Sequence, residues 1–166
     1  MPMRNTRQGA FIRDHFQTIW PAHLEGFTHL LVQLRARFDG DLDLVLVLAV
    51  IASRTQSAQW APQLAELDRL THGEEDDTPL PINIQSVADY SGIPRETVRR
   101  KVALLQEKGW VARRPGGRLS VTRDAATDLQ DGTGDTIAYL AALLKVVEAA
   151  QGKAPESGPR HEPPGR

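Results

Sequence analysis

The stretch PINIQSVADYSGIPRETVRRKVALLQEKGWVARRPGGRLSVTR, residues 81–123, decides the fold of this 166-residue chain. It predicts two short helices that meet at a tight turn and are followed by a small β-hairpin. Asn83 is placed to cap the first helix, whose apolar residues recur at helical spacing. Gly92 stands where the chain must turn, because glycine adopts a positive φ without steric cost. Pro94 then opens the second helix, at a position that needs no backbone N–H.

The apolar residues of the two helices predict one shared buried face. They recur every three or four residues, which is the spacing of a helix side packed against a core. Ile93, between the helices, is expected to fill the angle they form, and Trp110 is expected to close the core. The inward residues are Ile84, Val87, Ala88, Val98, Val102 and Leu105.

The predicted hairpin follows Lys108-Gly109, a cation and a glycine of the kind that ends helices. Two strand-like runs, 110–114 and 118–122, flank Pro115-Gly116-Gly117, and a glycine pair between such runs is typical of a hairpin turn. Between residues 95 and 123 nine basic side chains oppose two acidic ones, a surplus of seven, although the whole chain has a net charge of −1. Positive charge concentrated in this way is typical of phosphate binding.

Residues 82–123 resemble the winged helix-turn-helix domain of bacterial transcription regulators. With helices on both sides, the arrangement is similar to the MarR type of dimeric regulator, although the wing is shorter and lacks the Asp-x-Arg element of that type. IclR-like and GntR-like domains share the same core pattern, so the subfamily stays open. The resemblance implies a mainly α fold: a winged helix-turn-helix domain with N- and C-terminal dimerisation helices. The matching residues are Ala88, Gly92, Ile93, Val98, Leu104, Leu105 and the ending Lys108-Gly109-Trp110-Val111.

The charge pattern and the resemblance together predict double-stranded DNA as the partner. The second helix is expected to enter the major groove, where arginine pairs with guanine and glutamate accepts from cytosine. The wing arginines are expected on phosphates or in the minor groove. The predicted DNA-binding residues are Ser86, Pro94, Arg95, Glu96, Thr97, Arg99, Arg100, Arg113, Arg114 and Arg118.

Each part of this predicted interface has a plainer alternative. On the second helix, Glu96 and Arg100 are four residues apart and would pair on a solvated face, which would leave Arg95 and Arg99 outward and unpaired. For the wing, the alternative is a hairpin tip that only increases solubility. The hydroxyls of Ser86 and Thr97 suit phosphates, and local helix capping is the alternative for both.

Apolar spacing also predicts helices before this domain. We expect a short helix over 11–20 that stops ahead of Pro21, and a second that runs from Pro21 to Asp39-Gly40. Asp41 can cap a third helix over 42–52. That segment is apolar nearly all round, which favours a buried helix, although its Val/Leu alternation would also suit a strand.

After the domain, Gly132 and Gly134 predict a break, and a last helix is expected to begin at Asp135 or Thr136. The long helices on both sides carry more apolar surface than one small domain needs, which predicts a homodimer. Their stripes are Leu24, Phe27, Leu31, Leu34 and Phe38 before the domain and Ile137, Leu140, Leu144 and Val147 after it.

We divide the chain into four parts on this basis. An additional helix over 60–70 and an acidic exposed loop over 71–81 are expected just before the DNA-binding domain. A tail rich in proline and glycine is expected to be disordered. The predicted parts are an N-terminal helical region for dimerisation over 1–78, the winged helix-turn-helix domain over 79–123, a C-terminal dimerisation helix over 124–150 and the tail over 151–166.

The composition argues against several other classes of function. There is no cysteine, so disulfides and thiolate sites are excluded. The longest apolar run, 44–52, is shorter than the roughly 20 residues of a membrane span, and residues 1–16 do not read as a secretory signal, so we expect a cytoplasmic protein with no membrane partner. The five histidines have no metal-ligand spacing, and no nucleophile has a recognisable base. We therefore predict no cofactor and no catalysis.

The sequence also allows two other functions and one further partner. A plasmid replication or partition protein that binds DNA and a winged-helix module for protein interaction are alternatives to the regulator. A small-molecule effector is a further partner that the arrangement allows. Trp20, Phe27 and Trp60 would line its pocket or belong to the core, and we favour the core.

Overall fold

The structure, a computed structural model, describes residues 6–55 and 82–152, and two compact units can be distinguished in the chain. Unit 1 consists of Met1–Leu30 and Asp135–Arg166, and unit 2 is Leu31–Gly134. The predicted helix over 60–70 and the acidic loop over 71–81 lie outside the described residues, as does the tail from residue 153 onward.

The described residues form seven α-helices and one two-stranded antiparallel sheet, which confirms the mainly α fold. Both long helices, α2 and α7, contain a boundary between the two units. The elements are α1 (Arg7–Asp14), α2 (Phe16–Arg37), α3 (Leu42–Ala52), α4 (Ile84–Ser91), α5 (Arg95–Glu107), β1 (Val111–Arg113), a short 3-10 turn (Pro115–Gly117), β2 (Leu119–Val121), α6 (Arg123–Asp128) and α7 (Gln130–Gly152).

The helix-turn-helix is formed by α4 and α5, with the local chemistry that the sequence predicts. The Asn83 side-chain oxygen accepts the N–H of Ser86 at 3.0 Å and so caps α4. Gly92 ends α4 in the left-handed region, with φ at +73°. Pro94 stands immediately before α5, and the N–H of Val98 donates to its carbonyl at 3.0 Å.

The core of unit 2 confirms the predicted inward face and adds α3 to it. Val87, Val98 and Leu105 are fully buried, and so are Val47 and Ile51 of α3. α3 contacts α4, α5 and β2, because its apolar residues need cover on nearly every side. Asp41 caps α3 as predicted, accepting the Leu44 N–H at 2.9 Å. The helix-turn-helix therefore stands on a third helix from outside residues 82–123.

The hairpin is present, with strands of three residues instead of five. Val111 pairs with Val121 and Arg113 with Leu119. The outer edge of β2 is also occupied: the N–H of Leu119 donates to the Ile82 carbonyl at 2.8 Å. These bonds tie the hairpin to the rest of unit 2, so the wing has a fixed base.

Trp110 closes the core as predicted, and it does so through two contacts that are distant in sequence. Its ring meets Phe38 edge to face, with centroids 5.6 Å apart. Its indole N–H donates to the Asp128 carboxylate at 2.8 Å, so the polar end of the buried ring has a partner.

Two predicted helix boundaries are wrong. The expected stop before Pro21 does not occur, because α2 runs through Pro21 and the chain breaks earlier, between α1 and α2 at His15. A proline there removes the N–H that would bond the Gln17 carbonyl, and its ring crowds that carbonyl, but Gln17 is exposed to water. α7 likewise begins at Gln130 and continues through the two glycines of the predicted break.

Unit 1 contains a run of aromatic rings on α2 that continues onto α7. The Tyr139 hydroxyl forms a hydrogen bond with Nδ1 of His23 at 2.7 Å. The ring of Tyr139 also covers Gly26 so closely that a Cβ at residue 26 would lie 2.6 Å from a ring carbon. Trp20 and Phe27 are 43% and 40% exposed, so the prediction that they belong to the core is wrong. Trp60 lies outside the described residues.

Candidate nucleic-acid interface

The outer face of α5 is polar and exposed because its inner face is held by the core. Val98, Val102 and Leu105 are at most 1% exposed and fix the rotation of the helix. Arg95, Glu96, Arg99 and Arg100 therefore point to solvent, as predicted. They occupy the first turn and a half of the helix, which is the part of a recognition helix that reaches base edges.

A groove of about 430 Å³ separates α5 from the wing. Three arginines line it, Arg95 and Arg99 from α5 and Arg113 from β1, together with the carboxylate of Glu96. The other lining residues are Ile84, Val102, Ala103 and Gln106. The tertiary structure thus brings a wing arginine beside the helix arginines, and the net charge along the groove is positive.

The ion pair on α5 is not the one that sequence spacing suggested. Glu96 pairs with Arg99: Nε donates to one carboxylate oxygen at 2.8 Å and Nη2 to the other at 2.6 Å. The expectation that Arg99 is unpaired is wrong, and Arg100 instead reaches the Thr97 hydroxyl at 3.4 Å. Both i,i+3 and i,i+4 positions are neighbours on a helix, so spacing alone leaves this choice open. The hydrogen bond from Arg99 lowers the pKa of Glu96, and the same bond raises the pKa of Arg99.

The wing presents arginines that no carboxylate of the described residues holds. Arg114 donates to the Ser120 hydroxyl at 3.2 Å, and Arg118 donates to the Pro115 carbonyl at 3.4 Å. Both acceptors are neutral, so both guanidinium charges remain available to an anion. Arg113, Arg114 and Arg118 are all exposed.

Two lysines of the basic stretch do not belong to this surface. Lys101 forms an ion pair with Asp41, the residue that caps α3. The ammonium of Lys108 lies over the ring of Trp110, 5.0 Å from the centroid. Both cations support the fold of unit 2, so the patch that an anion meets is smaller than the sequence surplus of seven suggests.

For the two predicted hydroxyl contacts, the structure shows local bonds. Ser86 donates its hydroxyl to the Asn83 side-chain oxygen at 3.3 Å, beside the cap of α4. Thr97 accepts from Arg100. Both remain at the start of their helices, where a phosphate contact stays a prediction.

The pair between Lys101 and Asp41 predicts a pH-dependent stability. Partial burial alone raises the pKa of Asp41, but hydrogen bonds from Lys101 and from the Leu44 N–H, with the charge of Lys101, outweigh it and hold that pKa below its ordinary value of 3.8. A carboxyl whose pKa is depressed on folding stabilises the fold above its unfolded pKa, and this contribution is lost as the pH falls through the folded pKa. Lys101→Met should therefore lower the free energy of unfolding by about 1–2 kcal/mol near pH 7.

Urea unfolding of the wild type and of Lys101→Met across a range of pH checks this. The difference between the two proteins should begin to shrink below about pH 4, where Asp41 of the unfolded chain takes up a proton, and it should be lost once the pH has fallen through the lower pKa of Asp41 in the folded protein. Lys145→Met, which removes an exposed lysine of α7, is the matched control and should change little at any pH. A difference that stays constant from neutral to acid pH would assign the effect of Lys101 to packing.

Comparison with known families matches part of the chain to a family of domains. Residues 61–126 match the model of the Crp-like helix-turn-helix domain. This range includes α4, α5 and the wing. Searches of the curated proteins and of the solved structures found no match. The match supports a winged helix-turn-helix domain that binds DNA, and it does not support the MarR type in particular.

Two further observations concern other classes of site. Within residues 6–55 and 82–152 no group of three histidine or acidic side chains could hold a metal ion. None of the helices in that part of the chain has both the length and the apolar character needed to cross a membrane.

Proposed function

We propose that this protein is a sequence-specific regulator of transcription that binds double-stranded DNA as a homodimer. The observation that carries the proposal is the groove in which Arg95, Arg99 and Arg113 converge, on elements fixed by a buried core. α5 enters the major groove of DNA, and the wing contacts the backbone or the minor groove. The match to the Crp-like helix-turn-helix domain supports this function.

The two parts of the surface have different tasks in this proposal. The wing arginines 114 and 118 have no carboxylate partner among the described residues, so they neutralise phosphates and supply affinity for any sequence. Arg95, Arg99 and Arg100 project from the start of α5 and supply sequence preference, because arginine offers two parallel N–H groups to the O6 and N7 atoms of guanine. Phosphate contacts position the protein, and base contacts select the site.

The homodimer is supported by apolar side chains that unit 1 leaves in water. Eight large ones are between 40% and 61% exposed. Side chains of this size, each about half exposed, leave on the order of 700 Å² in water, close to the roughly 800 Å² that each partner contributes to a standard interface. The eight are Ile12, Phe16, Trp20, Leu24, Phe27, Ile137, Leu140 and Leu144. A second copy of the same surface is a partner that covers all of them.

The proposal predicts a specific change in the salt dependence of DNA binding. Arg118→Ala should weaken binding to all sequences by a similar factor, and it should reduce the slope of log K against log salt concentration by about 1, because one fewer counterion is released. The measurement is fluorescence anisotropy of labelled duplex DNA at several salt concentrations.

Lys145→Ala is the control for this experiment, since it removes one positive charge from an exposed position of α7 in unit 1. Its salt slope should equal that of the wild type. If the wild-type protein binds no duplex at low salt, the module for protein interaction becomes the better proposal.

A small-molecule effector remains part of the proposal as a partner. Unit 1 has a cleft of about 560 Å³ between α2 and α7, which is within the size range of ligand pockets. It is lined by small residues, by two acidic side chains, and by His29 and Tyr139. The lining residues are Ala22, Glu25, Gly26, His29, Asp135, Ala138, Tyr139, Ala142 and Val146. The MarR-like arrangement and the cytoplasmic location stay predictions.

A further inference from the structure

Among the described residues, Glu96 carries the only carboxylate that lines the groove between α5 and the wing. Within the described residues, both of its oxygens accept hydrogen bonds from Arg99, at 2.8 and 2.6 Å. The two side chains are 64% and 62% exposed, so the pair stands in solvent at the face that is proposed to meet DNA. An exposed pair of this kind adds little to the stability of a fold.

The geometry of the pair decides which part of Arg99 remains available. A guanidinium has five N–H donors in one plane. Glu96 occupies the Nε–H and one N–H of Nη2, which together form one edge of that plane. The opposite end of the guanidinium remains available to donate to another group. It carries the second N–H of Nη2 and both N–H groups of Nη1. One N–H from each of these two nitrogens makes a second parallel fork.

That remaining fork matches one base edge in the major groove. Guanine presents O6 and N7 as neighbouring acceptors, and two parallel N–H groups satisfy both at once. A free arginine side chain rotates among many conformations and offers either edge. An arginine already held by a carboxylate loses less freedom on binding and presents one edge only.

The electrostatic surroundings keep Glu96 in the form that this role requires. Arg95, Arg99 and Arg100 all lie near its carboxylate, and their charges favour the ionised state. A negative charge at this place weakens the general attraction to phosphates. Its presence is therefore unfavourable for nonspecific affinity, and a role in orienting Arg99 accounts for it.

Resting on the proposed function, we infer that Glu96 is a positioning residue for base recognition: it holds Arg99 by one edge so that the Nη1–Nη2 edge reads a guanine. In this arrangement Glu96 selects no base itself. The sequence had suggested that Glu96 accepts a hydrogen bond from cytosine, and the structure gives its oxygens a different partner. Arg99 and Glu96 together form one reading unit.

The test is a selection from a random pool of duplex DNA with the full-length protein, followed by sequencing. The wild type, Arg99→Ala, Glu96→Ala and Glu96→Gln are compared. Glu107→Gln is the matched control, because it removes a negative charge from the exposed end of the same helix, outside the groove. Thermal unfolding of each variant verifies that unit 2 is folded.

If the inference is right, Arg99→Ala and both Glu96 variants lose preference for guanine at the same position of each half-site. A bidentate contact corresponds to about 5- to 150-fold discrimination, and the loss should bring it within about twofold. Glu107→Gln should keep the preference and bind all DNA slightly better. Replacing that guanine by 7-deazaguanine, which lacks N7, should weaken the wild type several-fold and leave Arg99→Ala unaffected.

Other outcomes overturn the inference and show which part has failed. Glu96 variants that keep the guanine preference would make the ion pair a bystander. A loss of cytosine preference at a different position would mean that Glu96 reads a base directly. If the wild type itself enriches no sequence, the proposed function has failed, and the inference fails with it.

Discussion

Leu105→Ala should lower the free energy of unfolding by about 2–5 kcal/mol and, through unfolding of unit 2, remove most DNA binding. Leu105 is fully buried in the core that α5 shares with α3 and the wing. Truncation leaves a cavity among residues that already fill their space, and close-packed interiors relax only partly around such a gap. The measurement is urea unfolding followed by far-ultraviolet circular dichroism, with DNA binding measured in parallel.

The neighbouring leucine is an unusually close control. Leu104 stands one residue earlier on the same helix and is 42% exposed. Leu104→Ala removes the same atoms, and we expect it to change stability by no more than about 0.5 kcal/mol, as surface substitutions usually do. Equal destabilisation by the two substitutions would contradict the orientation of α5, and with it the identification of the outer face.

Leu140→Glu should convert a dimer to a monomer. Leu140 is 54% exposed on α7 and is one of the eight large apolar side chains that unit 1 leaves exposed. A carboxylate placed in an apolar interface without a partner is strongly unfavourable there, whereas it is harmless on a free surface. Sedimentation equilibrium should give twice the chain mass for the wild type and the chain mass for the variant.

DNA binding should change in the same experiment. A monomer engages one half-site, so it loses the advantage of linked binding, which amounts to about 10²- to 10⁴-fold in affinity for a site with two half-sites. Ala141→Glu introduces the same charge at the next residue, which is exposed and is not one of those eight side chains. The Ala141→Glu protein should remain dimeric. A wild type that sediments as a monomer, or a Leu140→Glu protein that stays dimeric, would contradict this interface.

The helix-turn-helix was predictable because each of its features is local. A cap at Asn83, a glycine in the left-handed region at 92 and a proline before α5 act within a few residues of their own position. The inward stripe is equally local, since residues three and four apart share a helix face whatever the rest of the chain does. The exposed position of Arg95, Glu96, Arg99 and Arg100 follows directly from that stripe.

The boundaries of α2 and α7 were not predictable in this way. Local rules placed breaks at Pro21 and at two glycines, and the structure continues both helices through them. Packing provides a reason at Gly132, which is buried with side-chain atoms of Arg37 3.6 Å from the place where its Cβ would be. The intrinsic cost of glycine in a helix is about 1 kcal/mol, which tertiary contacts readily exceed.

The choice of partners for the charged residues also required the tertiary structure. The sequence placed Lys101 in the basic patch, and only the fold brings Asp41, sixty positions away, to its side. Arg113 was predicted as part of a separate wing, and the register of the hairpin brings it into the groove with Arg95 and Arg99.

The sequence by itself determined that two helices and a basic hairpin form and which side of α5 faces outward, because backbone propensity and periodicity act over a few residues. The tertiary structure alone decided which cations remain available to DNA and that the wing and α5 share one groove. Those relations depend on distances across the fold, and charges find their partners only after the core has set the elements in place.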